Sequence, residues 1–169
     1  MNGEPIETAR FRLRPLTMDD VDDLLPILGD AVAMRWYERT WDRDGAAAWI
    51  ERQLDRYAAD GFGPWAVEWK ATGKFAGQCG LARQEVAGVS EVEIGYLTVP
   101  AYWGHGVATE AASAWRNYAF RELAVNRVVS LINVHNCPSR RVAEKLGMRR
   151  EQEIMRAGMP HYVYALENA

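Results

Sequence analysis

The sequence predicts an α/β domain built around one mixed sheet, and three observations carry that prediction. First, Val92 to Glu110 (VEIGYLTVPAYWGHGVATE) passes from a β-rich run through Pro100 and a glycine turn into a helix. Second, two alternating runs, Pro64 to Lys70 and Phe75 to Arg83, flank Ala71-Thr72-Gly73-Lys74, which reads as a hairpin turn. Third, the periods along the whole chain follow the order βα-α-βββ-α-β-α-ββ, with no internal repeat, low-complexity tract or interdomain linker. One domain over residues 1–169 is therefore expected.

Taken in order, Phe11, Leu13 and Leu16 alternate with Arg10, Arg12 and Arg14 and predict a first strand with one buried face. Thr17 is a candidate N-cap, with Asp19 and Asp20 in the first turn of a helix that runs through Leu28. Val21, Leu24, Leu25 and Leu28 form its apolar face, and Pro26 predicts a break or kink within it. Ala31 to Trp41 is irregular and aromatic. Its rings suit either a substrate cleft or the closure of one end of the core. Asp42 caps a predicted helix from Arg43 to Asp60, whose inward positions are Ala46, Trp49, Ile50, Leu54 and Tyr57, and Gly61 stops it.

The two strands around the 71–74 turn follow, and Val86 to Ser90 turns the chain into a third strand, Glu91 to Val99, giving an antiparallel meander. Helical character after the glycine turn extends from Thr109 to Phe120, with Ala108, Ala111, Ala112 and Ala114 allowing close approach of another element. Arg127 to Val134 reads as a buried strand. Asn136 caps a short helix through Leu146, with Pro138 tolerated in its first turn. Met148 to Met155 and His161 to Leu166 close the chain as a strand pair around Gly158-Met159-Pro160.

Composition narrows the function. The 49% hydrophobic and 25% charged content is that of a folded chain, not a disordered one. No apolar run approaches the roughly 20 residues of a membrane span, so no membrane partner is expected. Met1 to Arg14 is polar and lacks a signal-peptide core, which makes a cytoplasmic location the expectation. A formal charge of −3 leaves no footprint for nucleic acid but is compatible with a basic amine or cationic peptide. The two cysteines, Cys79 and Cys137, and the scattered His105, His135 and His161 form no metal-ligand spacing, so no metal is expected. Cys79, in an apolar strand, reads as a small core residue. The tryptophans and tyrosines are numerous enough to supply an apolar homodimer patch, which the sequence does not locate.

The turn Trp103-Gly104-His105-Gly106-Val107-Ala108 opens two readings. A helix N-terminus offers unpaired N–H groups and a positive dipole end to a phosphate. Alternatively, glycine serves only to make a tight strand-to-helix turn. No lysine follows the glycines as in a Walker loop, and Thr109 stands where a dinucleotide fingerprint needs glycine.

Three stretches give the chain a family resemblance. Gly106 and Ala108 match the end of the pattern [Q/R]-x-x-G-x-[G/A], although Trp103 departs from its first position. Trp103 to Ala111 has the form W-G-x-G-x-A-T-E-A. Glu93-Ile94-Gly95-Tyr96 matches E-[IV]-G-[YW], and Asn136 to Ser139 with Glu144 to Met148 matches N-x-x-S…E-K-L-G-[FM]. Together these resemble the GNAT N-acetyltransferase superfamily, and within it the RimJ/RimL-like ribosomal-protein N-terminal acetyltransferases, over nearly the whole chain. The resemblance implies a single GNAT-like domain: a mixed, largely antiparallel sheet whose two central parallel strands splay apart, flanked by helices. It implies acetyl-CoA as cosubstrate, its arm entering between the splayed strands.

The resemblance also implies site residues. The strand end Leu97, Thr98 and Val99, the turn Gly104, His105, Gly106, Val107, Ala108 and Thr109, and Asn136 and Ser139 would contact the cofactor. Acetyl transfer to a primary amine by direct attack needs a base, for which Glu93 is the candidate, and a proton donor to the thiolate, for which Ser139 is the candidate. Tyr96 and Tyr102 are alternative donors. A strand N–H near Leu97 to Val99 would stabilise the developing oxyanion. Trp36, Tyr37 and Trp41 would line the groove for the acceptor, a protein N-terminus or a small-molecule amine. Two alternatives remain at this level: a silent acyl-CoA-binding sensor, and a transferase using a longer acyl-CoA.

Overall fold

Period-2 alternation in the meander strands builds the middle of an eight-stranded sheet. A computed structural model describes residues 4–168. Its strands are β1 (Ile6–Glu7), β2 (Phe11–Pro15), β3 (Pro64–Trp69), β4 (Phe75–Val86), β5 (Val89–Thr98), β6 (Arg127–Asn133), β7 (Arg149–Arg156) and β8 (Met159–Glu167). They lie in the order β1-β2-β3-β4-β5-β6-β8-β7. All neighbours are antiparallel except β5 and β6, which run parallel. The helices are α1 (Val21–Leu28), α2 (Arg43–Asp60), α3 (Val107–Arg121) and α4 (Cys137–Lys145).

Alternation assigns the helices to faces. Val92 and Ile94 of β5 pack in one core cluster with Ala111, Ala112 and Trp115 of α3 and Ala143 of α4. Leu97, of opposite parity, packs with Leu24 and Ile27 of α1 and Ile50 of α2. Successive strand side chains point to opposite faces, so α3 and α4 cover one side and α1 and α2 the other. Trp65 and Trp115, both nearly solvent-free, meet edge to face at 5.0 Å. Such a pair adds about 0.5–1.5 kcal/mol beyond its burial.

The parallel pair is short. Only Glu93 and Val129 are in register. Beyond them the ladder is ended by side chains. Ser130 Oγ donates to the Ile94 carbonyl at 2.7 Å, and the Leu131 N–H turns to Glu93 Oε1 at 3.4 Å. From there β5 and β6 no longer pair.

Several elements differ from the sequence reading. β1 was not anticipated; it pairs with β2 through Ile6 opposite Leu13. Thr17 heads a 3₁₀ turn, Met18–Asp20, and the α-helix starts only at Val21. That helix does not break at Pro26. Proline forfeits a single bond, to the Asp22 carbonyl, and Gly29 N–H closes the helix end on Leu25 O at 2.9 Å. α3 begins at Val107, two residues before the expected Thr109. The last hairpin turns through Ala157-Gly158 alone, and Met159 and Pro160 belong to β8, opposite Arg156 and Met155. No helix among the described residues is long and apolar enough to cross a membrane.

Candidate active site

The end of β5 separates two cavities that share a boundary. One, of about 520 Å³, is lined by Thr98, Tyr102, Trp103, Gly104, the first turn of α3 and the start of α4. The other, of about 340 Å³, lies under Trp36, Tyr37, Trp41 and Trp49 and includes Gln84, Glu93 and Arg156. Trp36, Tyr37, Tyr96 and Leu97 line both.

The larger cavity suits an elongated anion. Gly106, at φ 76, is the N-cap of α3, a conformation that favours glycine. The N–H groups of Gly104, Gly106, Val107, Ala108 and Thr109 have no partner among the described residues, and the helix dipole adds partial positive charge there. Arg35, Arg141 and Lys145 also line the wall. Hence the residues present fit the diphosphate of acetyl-CoA, with the unpaired end of β5 available to its arm.

A clamp absent from the sequence reading holds this turn. Arg10 Nη1 donates to the His105 carbonyl at 2.9 Å, and Arg10 Nε donates to Glu110 Oε2 at 2.7 Å. Thr8 Oγ1 and Arg10 N–H both donate to Glu110 Oε1, at 2.7 and 2.8 Å. Partial burial alone would push the Glu110 carboxyl up. The bonds from Thr8 and Arg10 and the guanidinium charge outweigh that and hold it below the usual carboxylate range. The turn between β1 and β2 thus fastens the glycine turn from behind.

Backbone parity sorts the strand end. Val99 N–H donates to Ala76 O at 2.9 Å, and Leu97 lies opposite Gln78 in the same antiparallel phase. Both are therefore turned toward β4, and the main chain of Tyr96 and Thr98 faces the gap left by β6. Thr98 O already accepts from Trp103 Nε1 at 3.0 Å, so at the open end of the gap Thr98 presents its N–H, as Tyr96 does one step further in. Among the expected cofactor contacts, Leu97, Thr98, Gly104, Gly106, Val107, Ala108, Thr109, Asn136 and Ser139 line the larger cavity. Val99 and His105 do not: Val99 is tied to β4, and His105 turns its Nδ1 back to the Trp103 carbonyl at 3.0 Å.

The two expected chemical groups lie in different cavities. Glu93 lines the aromatic one, where Oε2 accepts from Gln84 Nε2 at 2.8 Å and lies 3.9 Å from Arg156 Nη1. Ser139 lines the larger one, its N–H donating to Asn136 Oδ1 at 3.3 Å in the α4 cap. Tyr96 bridges them: its hydroxyl donates to the Ser139 carbonyl at 2.8 Å and accepts from Ser139 Oγ at 3.2 Å. Tyr102 instead packs edge to face on Trp69. Tyr37 as a residue is partly exposed, but burial around its hydroxyl, together with the Glu93 charge, pushes the phenol up to about 12. Trp36 and Tyr37 border both cavities, and Trp41 only the aromatic one. No cluster of three or more metal-ligating side chains occurs among the described residues.

Comparison with known proteins identifies the family and the fold. The family model for the acetyltransferase (GNAT) domain matches residues 10–149. The uncharacterized protein YkkB of Bacillus subtilis (strain 168) is 35% identical over 158 residues, covering 93% of this chain and 92% of its own. The acetyltransferase from Agrobacterium tumefaciens str. C58 superposes with a TM-score of 0.85 at 25% identity, covering 99% of this chain and 96% of that one. RimL, a ribosomal L7/L12 alpha-N-protein acetyltransferase in complex with coenzyme A, shares the fold at a TM-score of 0.80 and 16% identity, covering 97% and 98%. With the family model spanning most of the chain, the protein belongs to the GNAT acetyltransferases, enzymes that depend on acetyl-CoA.

Proposed function

We propose that the protein transfers an acetyl group from acetyl-CoA directly to a primary amine, without a covalent enzyme intermediate. The carrying observation is that an N–H-rich, cation-lined groove and an aromatic cavity bearing a carboxylate meet at Tyr96 and Leu97. Bound in the groove, acetyl-CoA supplies an acyl group activated as a thioester. The turn residues Gly104 and Gly106 to Thr109 hold its diphosphate, with Asn136 and the strand end along its arm.

The acceptor enters under Trp36, Tyr37 and Trp41. Glu93 takes the amine proton, directly or through water, so that a neutral nitrogen attacks. The Thr98 N–H receives the negative charge that develops on the carbonyl oxygen. The new C–N bond replaces the C–S bond; the Tyr96 hydroxyl, with Ser139 Oγ–H donating to it, gives one proton to the leaving thiolate and is reprotonated from solvent, to which Glu93 releases the amine proton. For the acceptor, the motifs shared with the RimJ/RimL-like group favour a protein N-terminus over a free small amine, and the fold shared with RimL is compatible with that. A cytoplasmic location accords with this reading.

The test is thiol release from acetyl-CoA against peptides with free N-termini and against small amines, with mass spectrometry of the product. Amine-dependent release with an N-acetylated product is expected. Saturable CoA binding without product from any amine would overturn the reading in favour of a silent binding module.

A further inference from the structure

We infer that Gly95 determines which acceptors enter: its missing side chain keeps open the floor of the aromatic cavity where that cavity reaches the thioester. This rests on the acetyl-transfer reading above and adds a residue that sets its specificity. Gly95 lies directly opposite Gly80 in the β4–β5 pairing. The two glycines have different reasons to exist. A Cβ on Gly80 would overlap the Gly63 carbonyl oxygen and come within 2.5 Å of Pro64 Cα, so packing demands glycine there. A Cβ on Gly95 would meet nothing within 4 Å. Nor does the backbone demand it, since Gly95 is not among the glycines with positive φ.

Glycine in a strand interior is destabilising relative to alanine. At position 95 neither conformation nor protein packing offsets that loss. What the absent side chain leaves is space, and the space is identifiable. Alternation points position 95 to the same face as Glu93 and Leu97, and all three line the aromatic cavity. Tyr96 and Leu97, the next residues, line both cavities. A side chain at 95 would therefore stand between the Glu93 carboxylate and the junction, in the path of an amine approaching the acyl group.

The probe that separates the two sites is a conjugate in which the sulfur of CoA carries, through an acetyl group, the N-terminal nitrogen of a short peptide, so that one molecule reaches into both. Calorimetry would compare CoA and the conjugate on wild type, Gly95→Ala and Gly95→Val, with thermal melting of each. We expect CoA to bind all three equally and the thermal midpoint of Gly95→Ala to be unchanged or raised. The conjugate should bind wild type more tightly than CoA and lose at least about tenfold in Gly95→Val, with a smaller loss in Gly95→Ala. Equal conjugate binding by wild type and Gly95→Val, or no gain of the conjugate over CoA in wild type, would overturn the inference. So would a Gly95→Ala protein that melts earlier and binds CoA more weakly, because the glycine would then be structural. Failure of wild type to bind CoA at all would instead remove the acetyl-CoA reading on which the inference stands.

Discussion

The Tyr96 hydroxyl is held by Ser139 twice, donating to its carbonyl at 2.8 Å and accepting from its Oγ at 3.2 Å. This pair ties β5 to the start of α4 across the place where β5 and β6 part. Burial raises the Tyr96 phenol well above its ordinary range, against a smaller lowering by the Ser139 bond, so the hydroxyl stays protonated at neutral pH. A group in that state can give a proton but cannot accept one. Tyr96 also lines both cavities, whereas Ser139 lines one. Tyr96→Phe should therefore lower kcat by about 10²-fold with CoA affinity retained, and Ser139→Ala should cost less. Steady-state thiol release measures both. A larger loss in Ser139→Ala would make the serine the terminal donor, and wild-type turnover in Tyr96→Phe would remove the tyrosine.

Glu93 combines an observed structural role with the proposed role of base, and one substitution can separate the two. Its Oε1 accepts the Leu131 N–H that leaves the ladder, and its Oε2 accepts from Gln84. Glutamine keeps the size and one acceptor oxygen but cannot take a proton. Glu93→Gln should fold normally and lower kcat at least about tenfold at neutral pH. Wild-type turnover in a folded Glu93→Gln protein would place the base elsewhere.

The clamp on the glycine turn predicts a pH dependence with a definite sign. Glu110 has a folded pKa below its ordinary value, so its stabilisation is complete above the usual carboxylate range and is lost as the pH falls through the lowered value. The KM for acetyl-CoA should accordingly rise on acidification below that range. Glu110→Gln should raise it about tenfold already at neutral pH by removing charge-assisted bonds from Arg10. kcat should be nearly unchanged, because the clamp touches the turn and not the reacting atoms. A fall in kcat with constant KM would contradict this role.

The features legible in the sequence are those whose determinants are local. Asp42 accepts from Gly45 N–H at 2.8 Å and opens α2 at the expected residue, and Gly61 ends it. The glycine turn announces itself through its spacing and the helix that follows. What escaped the reading depends on partners far apart in the chain. β1 has two residues and no alternation to detect. The Arg10–Glu110 clamp joins positions 100 residues apart. The end of the parallel ladder depends on Ser130 and Glu93 substituting for main-chain groups, which no periodicity reports. The parity that makes Thr98, and not Val99, the donor in the gap requires the register of β4 on β5, known only once they are paired.

The cysteines give a direct check on the packing around the sheet. Cys79 is 1% exposed and burial drives its thiol upward, whereas Cys137 is exposed at the start of α4. The native protein should release one equivalent of chromophore from a disulfide reagent and the denatured protein two. Two fast equivalents in the native state would mean that β4 is not buried as described.

The β4–β5 hairpin carries a conflict between residue and conformation that a substitution should relieve. Val86 pairs with Val89, leaving a two-residue turn in which Ala87 has φ 49 and Gly88 φ 82. Positive φ at both positions defines the type I′ turn, whose handedness matches the twist of the strands. Glycine accepts this geometry freely, but a left-handed alanine costs about 1–2 kcal/mol, because its Cβ crowds the following carbonyl. Asparagine tolerates the same region and forms local hydrogen bonds there. Ala87 is exposed and lines neither cavity, so Ala87→Asn alters the turn without touching the site. A gain of about 1 kcal/mol should raise the thermal midpoint by about 2–4 °C for a chain of this size, with kcat and KM unchanged. Scanning calorimetry resolves such a shift. An unchanged or lower midpoint would mean that residue 87 does not hold the left-handed conformation in solution, and the register that aligns Gly95 with Gly80 further along the same hairpin would lose that support.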